Sequence, residues 1–234
     1  MRMVFEPAPE DERETLYSRF EEQVAGPLDM DHRFAESSER KRVAIMVSRE
    51  DHCLNDLLWR WRSGELGADV AAVVSNHADH AEQVASLGLP FHHVPIEPGA
   101  KEEAERRALE LLGEVDLLVL ARYMQVLSAD FLRRLGAPAI NIHHSFLPAF
   151  VGADPYARAH ERGVKLIGAT AHYVTEELDA GPIIDQDVTR VSHRDEIEDL
   201  VGIGRDVERL VLARAVKAHL DDRVLLDGDR TIVF

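Results

Sequence analysis

Between Arg42 and His143 the sequence predicts an α/β domain built on a doubly wound, mostly parallel sheet. Short apolar runs recur along this stretch, and helical segments separate most of them. The third observation is a polar cluster, Asn141-Ile-His-His144, where the last of these runs ends. In an open parallel sheet the carboxyl ends of the strands border the ligand crevice.

Each element follows from its residues. Val43–Val47 is an apolar run of buried-strand length, and Asn55–Trp61 has helical periodicity. Val70–Val74 is the second strand, with a helix near Ala81–Leu87. Phe91–Val94 is a short third strand. Glu102–Leu112 is a helix with acidic residues in its first turn, where the helix dipole favours them. Leu117–Leu120 is the fourth apolar run, and Ser128 is a good N-cap for the helix that Ala129-Asp-Phe131 opens. Ala139–His143 is the fifth strand. Crossovers between parallel strands are expected to be right-handed.

After His143 the rhythm breaks. Ser145–Pro155 holds Pro148, Gly152 and Pro155 and reads as a loop of functional length. A helix near Tyr156–Arg162 follows. Lys165–Val174 and Pro182–Val191 read as strands around a turn at Asp179-Ala-Gly-Pro182. Asp195–Leu220 is a long helix. Arg223–Leu226 and Thr231–Phe234 flank Asp227-Gly228, a hairpin signal.

Residues 1–40 read differently. Met1–Phe5 is expected as a short strand, and Glu10–Ala25 as a charged helix with Leu16, Phe20 and Val24 on one face. Met30–Ala35 is expected as a second strand, followed by a charged linker, Glu36–Arg42. A strand opening at residue 1 reads as a fragment of something larger. The division expected is residues 1–40 as that segment and linker, and 41–234 as the main domain.

Composition narrows the function classes. The 234 residues are 45% hydrophobic, with mean hydropathy -0.21, which is ordinary for a globular chain. No apolar run approaches the ~20 residues of a membrane span. The first residues, MRMVFEPAPEDERE, lack the apolar core of a secretory signal. The single cysteine, Cys53, excludes an intramolecular disulfide and a multi-cysteine zinc site, and points to a reducing cytoplasm. Net charge is -16, so phosphate backbones are repelled and nucleic-acid binding is disfavoured. Basic residues are nearly all arginine. An acidic, lysine-poor surface fits a salt-rich cytoplasm or a GC-rich genome equally, and identifies no reaction.

The chemistry-bearing positions begin at Asn141. On a strand, side chains two apart share a face, so Asn141 and His143 point together and His144 points away. An amide donates to a developing oxyanion, and an imidazole moves protons near neutral pH. Alone, such a pair more simply caps the strand and ties down the Pro148 loop. Asp179 supplies a carboxylate that would orient His143, although Asp-x-Gly-Pro also explains itself as a turn.

Asn141 to Tyr156, NIHHSFLPAFVGADPY, together with Gly168 to Ile184, GATAHYVTEELDAGPII, resembles the catalytic domain of the 10-formyltetrahydrofolate-using formyltransferase family. That family's pattern is N-x-H on one strand, a loop, then H-x-V-x-x-x-x-D-x-G, and the likeness runs from about Arg42 to about Leu220. It implies a Rossmann-like fold and a catalytic trio of Asn141, His143 and Asp179. It places His172, Thr170 and Ser145 behind the trio. Tyr123, Met124, Gln125, Val126 and Leu127 would form the folate-binding strand end, where backbone groups read the pterin. Glu176, Glu177 and Leu178 would close over the ring. The likeness implies no cofactor beyond the folate substrate.

Family members that formylate glycinamide ribonucleotide carry a Gly/Ser-rich turn after the first strand, which cradles the acceptor's phosphate. Here that position reads Val47-Ser-Arg-Glu-Asp-His-Cys-Leu54, with no glycine and with Glu50 and Asp51 to repel a phosphate, only partly offset by Arg49. Without the cradle, water is the expected nucleophile. VSREDHCLNDLLWR, ARYMQVLS and LLDGDRTIVF also resemble the hydrolytic branch of the family, which feeds formate to purine synthesis. Members of that branch carry an ACT domain ahead of the catalytic domain, and residues 1–40 resemble only its second half. His52 and Cys53 would line the crevice where other members hold an acceptor; Cys53 as a nucleophile is the weaker idea, since His143 can activate water.

Two other readings stay open: formyl transfer to an amine (glycinamide ribonucleotide or an amino sugar), and a non-catalytic folate-binding module. No metal is expected. His77/His80 and His92-His93 fall on segments read as surface, and H-E-x-x-H is absent. Gly202-Ile-Gly204 is no dinucleotide fingerprint, and Trp59 and Trp61 read as helix packing. The edges offered by Met1–Phe5 and the terminal hairpin predict a homo-oligomer.

Overall fold

The apolar runs form a seven-stranded sheet. The computed structural model describes residues 1–6, 9–148 and 155–234. The strands are β1 (Arg42–Val47), β2 (Asp69–Ser75), β3 (Phe91–His93), β4 (Leu117–Ala121), β5 (Ala139–His143), β6 (Leu166–Tyr173) and β7 (Ile183–Arg190). Their order is β3-β2-β1-β4-β5-β6-β7. The first five are parallel; β5–β6 and β6–β7 are antiparallel. The break in rhythm after His143 is therefore a change of strand direction.

The central strands are buried on both faces, as parallel strands between helices must be. Val43, Ile45 and Val47 join one core with Leu117, Val119 and Ile140. The alternate residues Ala44, Met46, Leu118, Leu120 and Ala139 join the other. α2 (His52–Arg62) and α7 (Ile197–Leu220) cover the first face through Leu54, Leu57, Val211 and Leu212. α4 (Lys101–Leu112) and α5 (Ala129–Leu135) cover the second through Ala104, Ala108 and Phe131. Two shorter helices of this domain are α3 (Ala81–Ser86) and α6 (Pro155–Glu161). Ser128 caps α5, accepting from the Phe131 N–H at 3.0 Å.

The chain runs from β1 outward to β2 and β3, then returns to β4 on the other side of β1. That reversal places a crevice outside the carboxyl ends of β1 and β4, where open sheets of this kind bind ligands. The terminal hairpin is β8 (Val224–Asp227) with β9 (Arg230–Val233), around the Asp-Gly turn.

Residues 1–39 form a unit of their own. α1 (Glu10–Phe20) continues as a π-turn over Glu21–Ala25. Tyr17 stacks on Phe34 with centroids 4.2 Å apart, and Phe20 meets Phe34 edge-on at 5.4 Å. The strands expected at Met1–Phe5 and Met30–Ala35 are not formed. Strand pattern alone is not enough: a ladder needs a neighbour for its N–H and C=O groups, and these segments pair with none among the described residues. The 149–154 part of the loop expected at Ser145–Pro155 lies outside the described residues.

Three side chains correct the sequence reading. Trp61 packs against the core, but Trp59 is 63% exposed. His80, expected at the surface, is buried, with Nε2 2.9 Å from the Ser48 carbonyl. Cys53, expected to line the crevice, is 1% exposed and belongs to the core under α2.

Candidate active site

Asn141 and His143 lie at alternate positions of β5, on the face that Ala139 shares. β6 runs antiparallel beside them, pairing His172 with Asn141 and Thr170 with His143. The connection from β6 to β7 returns Asp179 to the same place. It does so by pressing Gly181 against β6: a Cβ there would sit 1.8 Å from the Tyr173 carbonyl oxygen. Asp179 itself takes φ +56°, a conformation that Asp tolerates better than most residues.

The result is one hydrogen-bonded cluster. His143 Nδ1 lies 3.2 Å from Asp179 Oδ2, and His172 Nε2 lies 3.6 Å from Asp179 Oδ1. Hydrogen bonding to the His143 ring, then to the His172 ring, holds the Asp179 carboxyl well below the usual carboxylate range. His172 Nδ1 is 2.8 Å from the Tyr173 carbonyl, so that nitrogen carries the proton. His172 Nε2 also lies 3.3 Å from Asn141 Nδ2. His143 Nε2 is buried and has no hydrogen-bond partner among the described residues. A buried polar atom left open is costly unless something else binds it.

Thr170 works through the backbone. Its hydroxyl donates to the Ser145 carbonyl at 2.8 Å and accepts from the Leu147 N–H at 3.0 Å. Gln186 Nε2 reaches the Thr170 hydroxyl and the Leu147 carbonyl at 2.9 and 3.1 Å. Thr170 and Gln186 thus fasten the chain where it leaves β5.

The expected folate segment divides. Tyr123 and Leu127 are buried in the core beneath it, and Tyr123 is pushed up to about 12 by burial, then by Glu105. Met124, Val126 and Leu178 are exposed apolar side chains, Gln125 is half-buried, and Glu176 and Glu177 are exposed. Ser48 ties this segment to β1, its hydroxyl accepting from the Met124 N–H at 2.9 Å.

A second group of polar residues, apart from His52, was missed by the sequence reading; His52 lines a cavity as expected. Glu208 on α7 is 1% exposed. Its Oε1 accepts from the Tyr156 hydroxyl at 2.5 Å; its Oε2 lies 2.8 Å from His52 Nε2 and 3.3 Å from Arg122 Nε. Burial alone would raise the Glu208 carboxyl, but the His52 hydrogen bond and Arg122 charge outweigh it and hold it below its ordinary value. Arg122, with φ +62°, also donates to His144 Nδ1. These residues, with Glu50 and Arg205, line a cavity of about 310 Å³. A signal was present: Leu200, Gly204, Glu208, Leu212 and Val216 form one i, i+4 row on α7, and a charge in an apolar row must be paired.

Gly204 lets Tyr156 into place. A Cβ there would lie 2.0 Å from the Tyr156 hydroxyl. Gly204→Ala is expected to cost roughly 1–3 kcal/mol in urea unfolding, the usual cost of overpacking. Gly202→Ala, whose Cβ meets nothing within 4 Å, is expected to gain up to about 1 kcal/mol from helix propensity.

Among the described residues, donors of His52, Cys53 and Glu208 lie within 4.8 Å of one another. The carboxylate is already engaged by His52, Arg122 and Tyr156. Burial, then Glu208, raises the Cys53 thiol well above its ordinary value. Cys53 is therefore expected to resist a thiol reagent in the native protein and to react stoichiometrically once unfolded in guanidinium.

Residues 41–216 match the formyl transferase family model. The formyltetrahydrofolate deformylase of Mycobacterium tuberculosis is 60% identical over 220 residues, covering 94% of this chain and 71% of that one. The crystal structure of a formyltetrahydrofolate deformylase from Pseudomonas syringae superposes with a TM-score of 0.90 at 54% identity, covering 94% of this chain and 74% of that one. Glycinamide ribonucleotide transformylase 1 from Symbiobacterium toebii matches less closely, with a TM-score of 0.75 at 28% identity over 87% of this chain and 98% of that one. The chain therefore belongs to the formyl transferase family, and within it to the formyltetrahydrofolate deformylases.

Proposed function

We propose that the protein hydrolyses 10-formyltetrahydrofolate to tetrahydrofolate and formate. The observation that carries this is the unpartnered Nε2 of His143, in a ring whose Nδ1 faces Asp179 and which shares a strand face with the Asn141 amide. Water attacks the formyl carbon and gives a proton to His143 Nε2. The carbonyl electron pair moves onto oxygen, where the Asn141 N–H meets it. The oxyanion then collapses, the C–N10 bond breaks with its electron pair going to nitrogen, and His143 returns the proton there. The products are the N–H amine and formic acid, which ionises to formate.

Water rather than an amine is favoured by the acceptor side of the crevice. The turn after β1 has no glycine to cradle a phosphate, and Glu50 pairs there with Arg205. The exposed apolar Met124, Val126 and Leu178 fit the folate ring system. No helix among the described residues is long and apolar enough to cross a membrane. The single cysteine supports a reducing cytosol, and the released formate would supply formate-consuming steps such as those of purine synthesis.

The test is purified protein with 10-formyltetrahydrofolate, with and without glycinamide ribonucleotide, following formate and tetrahydrofolate. Formate release independent of the acceptor is expected. Product formed only with the acceptor would mean a transferase, and tight folate binding without turnover a binding module.

A further inference from the structure

We propose that Ser48 and Glu105 are positioning residues for the folate: from opposite ends they hold the segment Arg122–Ser128 in the shape that presents Met124, Gln125 and Val126. This rests on the folate reading of that segment and goes on to say what keeps it in place.

The segment leaves β4 with little structure of its own. Tyr123 and Leu127 are buried, Met124 and Val126 are exposed, and Gln125 is half-buried. Among the described residues, the main-chain groups of Gln125 and Val126 meet no protein partner. Free N–H and C=O groups on such a stretch can pair with the donor and acceptor edges of a heterocycle. Affinity is then lost to ordering unless the stretch is already in shape.

Ser48 fixes the first end. Its N–H donates to the Arg122 carbonyl at 3.2 Å, one step beyond the β1–β4 ladder. Its hydroxyl accepts from the Met124 N–H at 2.9 Å and donates to Asn76 Oδ1 at 2.7 Å. The bonds to Arg122 and Met124 bracket the bend out of β4, where Arg122 takes φ +62°. A residue other than glycine keeps such a conformation when its surroundings fix it. Ser48 is itself held: it is buried, its carbonyl faces His80 Nε2 at 2.9 Å, and Asn76 ties it to the end of β2.

Glu105 fixes the second end. The buried face of α4 is Ala104, Glu105, Ala108 and Leu112, and a carboxylate there is costly unless it is hydrogen-bonded. Its two oxygens accept from the Ser128 N–H at 2.9 Å and the Ser128 hydroxyl at 2.5 Å, with Lys101 Nζ at 3.8 Å. The same hydroxyl caps α5 through the Phe131 N–H, and a cap needs no charge behind it. What the carboxylate adds is a hold on the last residue of the segment, stronger for being ionised. Only Gln125, Val126 and Leu127 lie between the two anchored amides of Met124 and Ser128.

The test measures kcat, KM for 10-formyltetrahydrofolate and the Kd of tetrahydrofolate in Ser48→Ala, Glu105→Ala and Glu105→Gln, with urea unfolding to show that each is folded. Ser48→Ala is expected to raise KM and Kd about 5–10-fold, the size of one neutral hydrogen bond, and Glu105→Ala about 10–100-fold, the size of a charged one. Saturated turnover should not change, because neither residue meets the reacting atoms. Glu105→Gln should recover most of the affinity, since its amide oxygen can accept from the Ser128 N–H and its nitrogen donate to the hydroxyl. Unchanged affinities in the folded alanine variants, a fall in kcat alone, or Glu105→Gln no better than Glu105→Ala would overturn the assignment. Val126→Asp, on the exposed part of the segment, should also weaken tetrahydrofolate binding; unchanged binding would take the folate away from the segment and overturn the anchoring with it. Wild-type protein that binds tetrahydrofolate but releases no formate would defeat the hydrolysis alone, and the binding constants would still decide the anchoring.

Discussion

Asp179→Asn is expected to lower formate release by about 10²–10⁴-fold while leaving the protein folded, the range over which acid–base catalysis contributes. Asp179 faces two histidines at once, His143 at 3.2 Å and His172 at 3.6 Å. An asparagine keeps the size but loses the charge, and its amide nitrogen can face His143 Nδ1 as a donor. That would drive the His143 proton onto Nε2, where the water proton has to go. The substitution also has a pH signature. The Asp179 carboxyl is depressed by its histidine partners, so its contribution to stability is full above the ordinary carboxylate pKa and is lost as pH falls through the folded value. The stability gap between wild type and variant should therefore be widest above about pH 4 and close on acidification below it. Urea unfolding at pH 7 and pH 3 checks this; a gap that widens in acid would mean that Asp179 is not held as a carboxylate.

Asn141→Ala is expected to cost about 10²–10³ in kcat with little change in KM, as loss of one oxyanion donor does. The amide nitrogen faces His172, whose own Nδ1 is committed to the Tyr173 carbonyl. His172→Phe should accordingly reproduce part of the Asn141→Ala loss, because the amide is then free to turn. Near-normal turnover by folded Asn141→Ala would remove Asn141 from the oxyanion role.

The strands of the main sheet were legible because burial on both faces forces apolar runs, and Val43–Val47 and Leu117–Leu120 are such runs. The shared face of Asn141 and His143 followed from strand period alone. Met1–Phe5 and Met30–Ala35 were misread because strand pattern says nothing about whether a neighbour exists to complete the ladder. Cys53 was placed on the wrong side of α2, since a single step along a helix turns the side chain by about 100° and separates cavity-lining His52 from core Cys53. The Glu208 cluster was hidden for a different reason. Its members come from α2, the end of β4, the segment after β5, α6 and α7, and no local pattern joins them. His52 was expected at the crevice, but the charge at Glu208 within an apolar helical row asked for a partner without naming one.

The most direct measurement is a turnover in oxygen-18 water with 10-formyltetrahydrofolate and glycinamide ribonucleotide both present. Water as the nucleophile predicts formate carrying one labelled oxygen, one equivalent of tetrahydrofolate, and unmodified ribonucleotide. Formylated ribonucleotide without labelled formate would contradict it, and would show that the cavity lined by Arg122, His144 and Glu208 admits an amine after all.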